Sequence, residues 1–416
     1  MATLVTNASQ ILTMAGSENP RAGRERDCLG LLRDGAVLID EGKILSVGPR
    51  ERVLAHGKAK GALVVGAGGG VVSPGFVDAH THPLFAAPRL GDFEARLSGA
   101  AYAEIAARGG GILETVDGVR KASEADLAEG LSRRVPDFLS CGTTTIEAKS
   151  GYGLDPDHEL KMLRALRSVS ARGPLEIVPT LLGAHAVPRE LRGRKAEYVD
   201  RVCAEMIPRA AAEGLAKFVD VFCEDGYFDL ADLDRIAAAG ARAGLGLKVH
   251  CEQLSLMGSL TKAVKLGAAS VDHLDHAAAG DLPALASSGT VACLVPGSNY
   301  FLAKPYPPAR RLLDAGAAVA LATDFNPGTC PCWDMRFILS IACTQMRMTP
   351  AEALVSATIN GAHAAGLGAT HGSLEAGKAA DLVCFAASDW RELGYWIGGP
   401  KAAWTMKRGK IVSGAA

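Results

Sequence analysis

Eight short apolar runs are spaced along the middle of the chain, and most of them end at a polar or ionisable residue. They are rich in Val, Ile, Leu and Thr, and several lack the alternation of polar and apolar residues typical of a half-exposed strand. Strands that are buried on both faces, as in a parallel sheet, have this pattern. The runs cover residues 71–80, 143–149, 176–185, 217–225, 245–252, 269–274, 290–296 and 318–324.

Helical patterns separate these runs. Asp155 is suited to cap a helix and Pro156 to its first turn, and an apolar stripe follows at Leu160, Leu163, Leu166 and Val169. Comparable patterns begin after residues 230 and 306. Eight strands alternating with helices over about 250 residues predict an α/β fold, a TIM-like (β/α)8 barrel. The main alternative, a doubly wound open sheet, does not need ionisable residues at the ends of so many strands.

The two ends of the chain have a different pattern, with short strand-like pieces separated by turns. Neither residues 1–70 nor residues 375–416 are numerous enough to form a stable core alone. We therefore expect both ends to combine into one small β-sandwich domain, beside a catalytic barrel that covers residues 71–374.

Charge and composition narrow the class of partner. The chain has 44 basic and 45 acidic residues among 416, a formal charge of −1, so nothing favours binding to nucleic acid or to an anionic membrane. The first residues lack the basic and apolar segments of a secretory signal. The ten cysteines are scattered and none form a CxxC pair, which is typical of reduced thiols in a cytoplasmic protein.

Candidate metal ligands lie where the predicted strands end. His80 and His82 end the first run, and side chains at i and i+2 of a strand point to the same face. Each histidine alone is more simply a packed or surface residue, but the strand ends of a barrel share one rim. Three imidazoles and one carboxylate suit a divalent ion such as Zn²⁺ or Fe²⁺, which can activate water. Later runs end at or near His185, His250, His273 and Asp324.

Several of these stretches resemble the amidohydrolase superfamily. They are PGFVDAHTH, the single histidine of the fifth run, the histidine of VDHL, the ATD of the eighth run and the closing GSLEAGKAADLV. Other stretches are similar, more closely, to the branch of that superfamily that opens an imidazolone ring in histidine degradation. These are FEARLSGAAYAEIAARGGGI (93–112), IEAKSGYGLD (146–155), LLGAHAVP (181–188), TDFNPGT (323–329) and YWIGG (395–399).

The resemblance implies a reaction and a role for each matching position. The reaction is hydrolysis of the cyclic amide of 4-imidazolone-5-propanoate to N-formimidoyl-L-glutamate by a homodimeric enzyme with one divalent metal ion, zinc or iron. The implied metal ligands are His80, His82, His250 and Asp324, and the implied catalytic residues are His273, Asp324 and Gln253. The implied substrate contacts are Arg89, Tyr152, His185, Gln253, Asn326, Gly328 and Thr329.

Lys149 bears on the number of metal ions. Some amidohydrolases bridge two metals with a carbamylated lysine, but that lysine is expected from the fourth strand of the barrel. Lys149 ends the second run, so we interpret it as structural and expect a single ion.

Two other functions are consistent with the pattern. The first is a deaminase of a nucleobase-like heterocycle on the same scaffold, but such enzymes place a glutamate three residues after the histidine of the fifth strand. Here that position is Gln253, and Glu252 is one residue away. The second is a non-catalytic barrel used for binding, which has no reason to keep all four metal-ligand positions.

Overall fold

The structure is a computed structural model that describes residues 1–16, 18–100, 104 and 110–415. Residues 101–103 and 105–109 of the stretch 93–112 lie outside the described part of the chain. The strands of the described residues are β1 (Thr3–Thr6), β2 (Gln10–Leu12), β3 (Leu31–Leu32), β4 (Gly35–Asp40), β5 (Lys43–Pro49), β6 (Leu63–Gly66), β7 (Val71–Pro74), β8 (Phe76–Thr81), β9 (Thr143–Lys149), β10 (Glu176–Ala184), β11 (Phe218–Cys223), β12 (Gly246–Cys251), β13 (Ser270–His273), β14 (Val291–Leu294), β15 (Val319–Leu321), β16 (Leu382–Phe385), β17 (Ala402–Lys407) and β18 (Lys410–Gly414).

Helices connect the strands, and among the described residues none is long and apolar enough to cross a membrane. The α-helices are Arg50–Leu54, Leu90–Leu97, Ile112–Lys121, Glu124–Ser140, Pro156–Arg172, Lys195–Arg201, Ile207–Ala212, Leu230–Arg242, Ser259–Lys265, Leu282–Ala286, Pro296–Leu302, Ala309–Asp314, Met335–Gln345, Pro350–Ala357, Ile359–Ala364 and Glu392–Tyr395. Short 3-10 turns lie at Gly23–Glu25, Gly57–Ala59, Arg189–Leu191 and Ala279–Asp281, and a π-helical turn at Val202–Met206.

Strands β8 to β15 form one parallel sheet in which each strand pairs with the next along the chain. Every residue of β8, β9 and β11 is buried, as the absence of polar–apolar alternation predicts. The sheet closes at its carboxyl end, where Asp324 N donates to His80 O at 3.0 Å and His82 N donates to Phe325 O at 2.8 Å. The prediction of a (β/α)8 barrel is therefore confirmed.

Two predicted helices begin at capped ends, one of them at the cap that the sequence predicts. Asp155 Oδ1 accepts from His158 N at 2.9 Å at the start of Pro156–Arg172, with Pro156 in the first turn. Asp229 and Asp232 form a capping box at the start of Leu230–Arg242. These caps satisfy backbone N–H groups that the first helical turn leaves without partners.

The first apolar run forms two strands rather than the single strand that its composition indicates. Val71–Pro74 (β7) pairs with β2 and β16 outside the barrel, and only Phe76–Thr81 (β8) belongs to the barrel. Gly75 separates them, and a Cβ at this position would lie 2.3 Å from the side chain of Thr144. The chain therefore needs glycine where it passes from one sheet to the other.

Two small sheets flank the barrel and draw on both chain ends, which confirms this part of the predicted fold class. One sheet has the order β5-β4-β1-β6, and the other has the order β18-β17-β16-β7-β2-β3. Their facing side chains share one apolar core, which joins the amino-terminal and carboxy-terminal segments. This core includes Val5, Ile11, Val37, Ile44, Val72, Leu382, Trp404 and Met406.

Candidate active site

Three buried imidazoles meet at the carboxyl end of the barrel. The Nε2 atoms of His80 and His82 are 3.3 Å apart, and those of His82 and His250 are 3.5 Å apart. The ligand atoms of the three side chains all lie within 4.8 Å of one another. In the described part of the chain, this is the one group of three or more His, Cys, Asp or Glu side chains that could hold a metal ion.

Asp324 adds a carboxylate to this group. Its Oδ1 lies 3.7 Å from His80 Nε2 and 3.6 Å from His82 Nε2. The backbone φ of Asp324 is 56°, a left-handed conformation that is uncommon for residues other than glycine. Such conformations concentrate at functional sites, where the surrounding structure enforces them. Here the backbone hydrogen bond from Asp324 N to His80 O holds the turn in place.

Carboxylates behind the imidazoles fix the orientation of two rings. His80 Nδ1 lies 2.6 Å from Asp272 Oδ2, and His250 Nδ1 lies 3.1 Å from Asp220 Oδ1. A carboxylate at Nδ1 holds the proton there and leaves Nε2 free to bind a metal. The Nε2 atoms of both rings accordingly face the centre of the cluster.

A buried ion network lies beneath these carboxylates. Lys149 Nζ donates to Asp220 Oδ2 at 2.7 Å and to Glu147 Oε1 at 3.0 Å, and it lies 3.6 Å from Asp272 Oδ2. All four side chains are fully buried. Burial disfavours the charged ammonium, but the Asp220, Glu147 and Asp272 carboxylates outweigh it and raise the pKa of Lys149. Lys149 is thus engaged in holding the carboxylates that orient the histidines.

We expect Lys149→Met to destabilise the protein by about 3–5 kcal/mol, because removing one partner of a buried ion pair leaves uncompensated charge. The measurement is the free energy of unfolding in urea. The control is Lys58→Met, which removes an exposed ion pair with Asp40 and should leave the unfolding midpoint unchanged. Equal midpoints for both variants would contradict a structural role for Lys149.

The protonation of the cluster suits a divalent cation. Burial, followed by the charge of Lys149, lowers the pKa of His80 well below its ordinary value, and burial followed by His185 does the same for His82. Burial raises the pKa of the Asp324 carboxyl. Neutral imidazoles and a carboxylate that gains from a nearby positive charge fit a metal such as zinc or iron.

His273 lies beside the cluster. Its ring centroid is 5.3 Å from that of His80 and 5.2 Å from that of His250, and the residue is almost fully buried. Among the described residues, its Nδ1 has no hydrogen-bond partner. Burial, followed by the neighbouring His250, lowers the pKa of His273, which favours the neutral imidazole. His276, three residues later, is exposed at the surface.

Two aromatic residues continue the site away from the cluster. The His185 ring stacks on His82 with centroids 5.2 Å apart, and the buried Tyr152 ring lies 5.5 Å from His185. His185 Nδ1 donates to Gly151 O at 2.9 Å, which leaves Nε2 as an acceptor in the neutral ring. Burial, followed by His250, lowers the pKa of His185 to about 3.

Arg89 is buried next to the loop that follows Asp324. Its backbone N donates to Pro327 O at 3.3 Å, and its guanidinium packs on the Cα of Gly328, where a Cβ would lie 1.6 Å from Arg89 Nη2. Asp92 Oδ2 lies 3.7 Å from Nη1, and Nε has no hydrogen-bond partner within the described structure. A guanidinium that is buried but only partly satisfied is suited to receive an anion.

Asn326 and Thr329 are engaged within their own loop. Asn326 Oδ1 accepts from the backbone N atoms of Gly328 at 2.9 Å and Thr329 at 2.7 Å, while its Nδ2 donates to Asp324 O at 2.6 Å. Thr329 Oγ1 also lies 2.8 Å from Asn326 Nδ2. The Asn326 amide therefore shapes the loop that connects Asp324 to Gly328.

Gln253 is half-buried just beyond β12, and its loop is held by two buried glutamates. Glu224 accepts from Gln253 N at 2.5 Å and from Ser255 N at 3.1 Å. Glu252 instead accepts from Met257 N at 3.0 Å and from Ser259 Oγ at 3.0 Å, so its carboxylate is committed to the start of a helix. The Glu252 side chain is therefore bound within the loop, whereas Gln253 is held there through its backbone N.

Sequence reasoning missed the supporting acidic residues. Asp220 and Asp272 interrupt otherwise apolar strands, and a carboxylate within a buried strand requires a partner. That anomaly could have identified both residues. Asp78 is similar, since it accepts from Thr323 N at 2.9 Å and from Thr323 Oγ1 at 2.5 Å, which ties β8 to the segment before Asp324. Burial raises the pKa of Asp78 to about 7.

Comparison with known proteins agrees with this geometry. The sequence model of the amidohydrolase family matches residues 71–412 of the chain. An imidazolonepropionase of Symbiobacterium thermophilum is 45% identical over 98% of this chain and 96% of its own length. Another from Solibacter usitatus is 46% identical over 94% of each chain. Among solved structures, guanine deaminase of E. coli superposes with a TM-score of 0.74 at 15% identity over the whole of both chains, which supports the fold alone.

A barrel with buried histidines at its carboxyl end defines a class of hydrolases, and the chain belongs to the amidohydrolase family. Within that family, the similar full-length relatives carry the name imidazolonepropionase.

Proposed function

We propose that this protein hydrolyses the cyclic amide of 4-imidazolone-5-propanoate to N-formimidoyl-L-glutamate in histidine degradation. The observation that carries the proposal is the identity of 45% and 46% with relatives named imidazolonepropionase over 98% and 94% of this chain. The geometry adds a candidate metal centre, a neutral base beside it and a buried guanidinium for an anionic tail.

One divalent ion, zinc or iron, would be held by His80, His82, His250 and Asp324. When bound, the ion would polarise the ring carbonyl and make water a stronger nucleophile at neutral pH. The described residues offer one such group, and Lys149 is held by carboxylates, which supports one ion rather than two.

The remaining chemistry is proton transfer by side chains. Water adds to the ring carbonyl carbon, the ring C–N bond breaks, and the departing nitrogen takes up the proton that the water gives up. His273, neutral and buried, would assist deprotonation of the water or stabilise the developing oxyanion. Asp324 would carry the proton to the nitrogen through its carboxylate.

Substrate recognition would divide between the tail and the ring. Arg89 and Tyr152 would bind the propionate carboxylate. His185 and Gln253, with the loop of Asn326, Gly328 and Thr329, would hydrogen-bond the ring and disfavour isosteres that lack its polar groups.

Arg89→Ala is expected to raise KM about 30- to 1000-fold, which corresponds to a loss of about 2–4 kcal/mol of binding free energy, with a smaller change in kcat. The reason is that the substrate carboxylate would lose its buried partner. Steady-state kinetics with the substrate and with an analogue lacking the carboxylate measure the effect.

Gly328→Ala is the companion variant, because its methyl group would displace the guanidinium without removing its charge. It should also raise KM, while Arg52→Ala, at an exposed position outside the barrel, should not. An unchanged KM for Arg89→Ala, or equal turnover of the analogue, would refute this assignment.

The proposed reaction is tested by incubating the purified protein with 4-imidazolone-5-propanoate. Loss of ring absorbance with stoichiometric appearance of N-formimidoyl-L-glutamate is the expected result. A stable substrate in the presence of metal-loaded protein would overturn the proposal.

Deamination of a heterocycle is the alternative that the site supports less well. The glutamate expected for proton transfer to ammonia is replaced by Gln253, and the carboxylate of Glu252 is occupied by the loop that follows. Release of ammonia from a panel of nucleobases would favour the alternative.

We further propose that the protein acts in the cytoplasm as a homodimer. The cysteines of the described chain are free, in keeping with a reducing compartment. Tyr395, Trp396 and Ile397 form an exposed apolar segment, which is typical of an association surface. Light scattering of the purified protein measures the mass, and a monomer would contradict the dimer.

A further inference from the structure

The loop after β9 carries Tyr152 and is held by one buried carboxylate. Glu159 lies in the helix Pro156–Arg172 and is fully buried. Its Oε2 accepts from Gly151 N at 2.9 Å, and its Oε1 accepts from Gly153 N at 2.7 Å and from Leu154 N at 2.8 Å. One side chain therefore satisfies three of the four backbone N–H groups between Gly151 and Leu154.

The backbone of this loop is suited to that single anchor. Gly151 has φ 93° and Leu154 has φ 54°, so the chain takes left-handed conformations on both sides of Tyr152. At Gly153 a Cβ would lie 2.4 Å from Glu159 N, so the loop lies directly on the first turn of the helix. Glycine adopts such a conformation without steric cost, but at Leu154 it persists only where the surroundings enforce it, and here the Glu159 carboxylate accepts directly from Leu154 N.

The loop in turn positions two groups of the site. The Tyr152 ring lies 6.0 Å from the His82 ring, and Gly151 O accepts from His185 Nδ1. A Cβ at Gly151 would lie 2.8 Å from His185 Nδ1, so a small displacement of the loop would reach that ring directly.

We propose that Glu159 is a positioning residue that sets the tautomer of His185 and the place of Tyr152, and so the affinity for the substrate. The effect on substrate affinity rests on the proposed function, but the effect on His185 and Tyr152 concerns the free protein. Two of the proposed metal ligands, His80 and His250, have their own carboxylate supports in Asp272 and Asp220. The hydrogen bonds of Glu159 go to the backbone of the loop and not to a metal ligand, so Glu159 should act on substrate binding and not on metal binding.

Glu159→Gln tests the inference because it keeps the side-chain volume and one acceptor oxygen. The amide nitrogen would face Gly151 N or the N–H groups of Gly153 and Leu154, where an acceptor is required. We expect at least tenfold faster hydrogen exchange in the peptide 150–155, an altered ¹⁵N chemical shift for His185 Nδ1, and a tenfold or greater rise in KM. Metal content per chain should equal that of the wild type.

Glu352→Gln is the matched control. Glu352 is also a buried carboxylate near a helix start, accepting from Thr349 N and paired with Arg26 and Arg310, but it lies on the helix Pro350–Ala357. Its loss should lower stability without changing KM or the exchange of residues 150–155. Glu159→Ala, which removes all three bonds, should enlarge each effect of Glu159→Gln.

The outcomes separate this inference from the proposed function. If Glu159→Gln matches Glu352→Gln in peptide exchange and in the His185 signal, the inference is overturned whatever the activity. If those structural signals change but KM does not, the inference is likewise overturned for substrate binding. A wild-type protein inactive on 4-imidazolone-5-propanoate would overturn the proposed function, while exchange and the His185 signal would still decide the role of Glu159 in the loop.

Discussion

Replacing His80 and His82 together by alanine is expected to abolish hydrolysis and to leave the purified protein without its divalent ion. The two rings supply two of the three imidazole donors that face one point, and alanine offers no donor atom. A metal ion contributes several kcal/mol of transition-state stabilisation, so activity should fall by about 10³-fold or more. Plasma mass spectrometry of the purified variant and turnover of the imidazolone substrate measure the two effects.

The matched control removes two histidines outside the site. His56 is exposed, and His158 lies in the first turn of the helix Pro156–Arg172 beside Asp155. The double variant His56→Ala, His158→Ala should keep both metal and activity. Full metal occupancy after loss of His80 and His82 would contradict the assignment of the metal centre. It would favour the alternative of a non-catalytic barrel used for binding.

The barrel could be predicted from sequence because its physical cause is local. Strands buried on both faces must be apolar throughout, and the eight runs record that requirement directly. The start of the helix Pro156–Arg172 could be predicted for the same reason, since Asp155 satisfies an N–H group of the first turn that follows it. Each of these features depends on residues that are close in sequence.

Long-range contacts were harder to predict. Gly75 divides the first run because Thr144, nearly seventy positions away, occupies the space of its missing side chain. Lys149 is structural because Asp220 and Asp272 come from other strands of the barrel. Nothing within a single stretch specifies which buried charges will meet, although their presence in apolar strands indicates that some must.

In the candidate site, too, some features could be predicted from the sequence and others depend on contacts that only the structure shows. Residue types at strand ends predicted that several histidines and Asp324 share one rim, and the resemblance to the amidohydrolases implied His80, His82, His250 and Asp324 as the ligands. The closed barrel brings these four side chains together. The role of Asn326 within its own loop follows from hydrogen bonds that the NPGT sequence suggests only as a turn.

His273 departs from the simple strand rule that placed it in the site. Asp272 pairs in register with His250, and its carboxylate points into the barrel toward His80, so strict alternation would turn His273 outward. Instead His273 has φ 79° and Leu274 has φ 64°. This left-handed turn ends the alternation and brings the imidazole beside His80. A left-handed backbone at a buried imidazole of a non-glycine residue is the observation that motivates the functional hypothesis for His273.

His273→Asn should therefore keep the metal and lower kcat by about 10²- to 10⁴-fold, the usual contribution of a general acid–base residue. The Asn side chain fills part of the space but cannot take up a proton near neutral pH. Metal analysis and single-turnover kinetics distinguish the roles, with His276→Asn as the control at an exposed position three residues later. Loss of metal from His273→Asn would make His273 a ligand, and unchanged turnover would make it a packing residue.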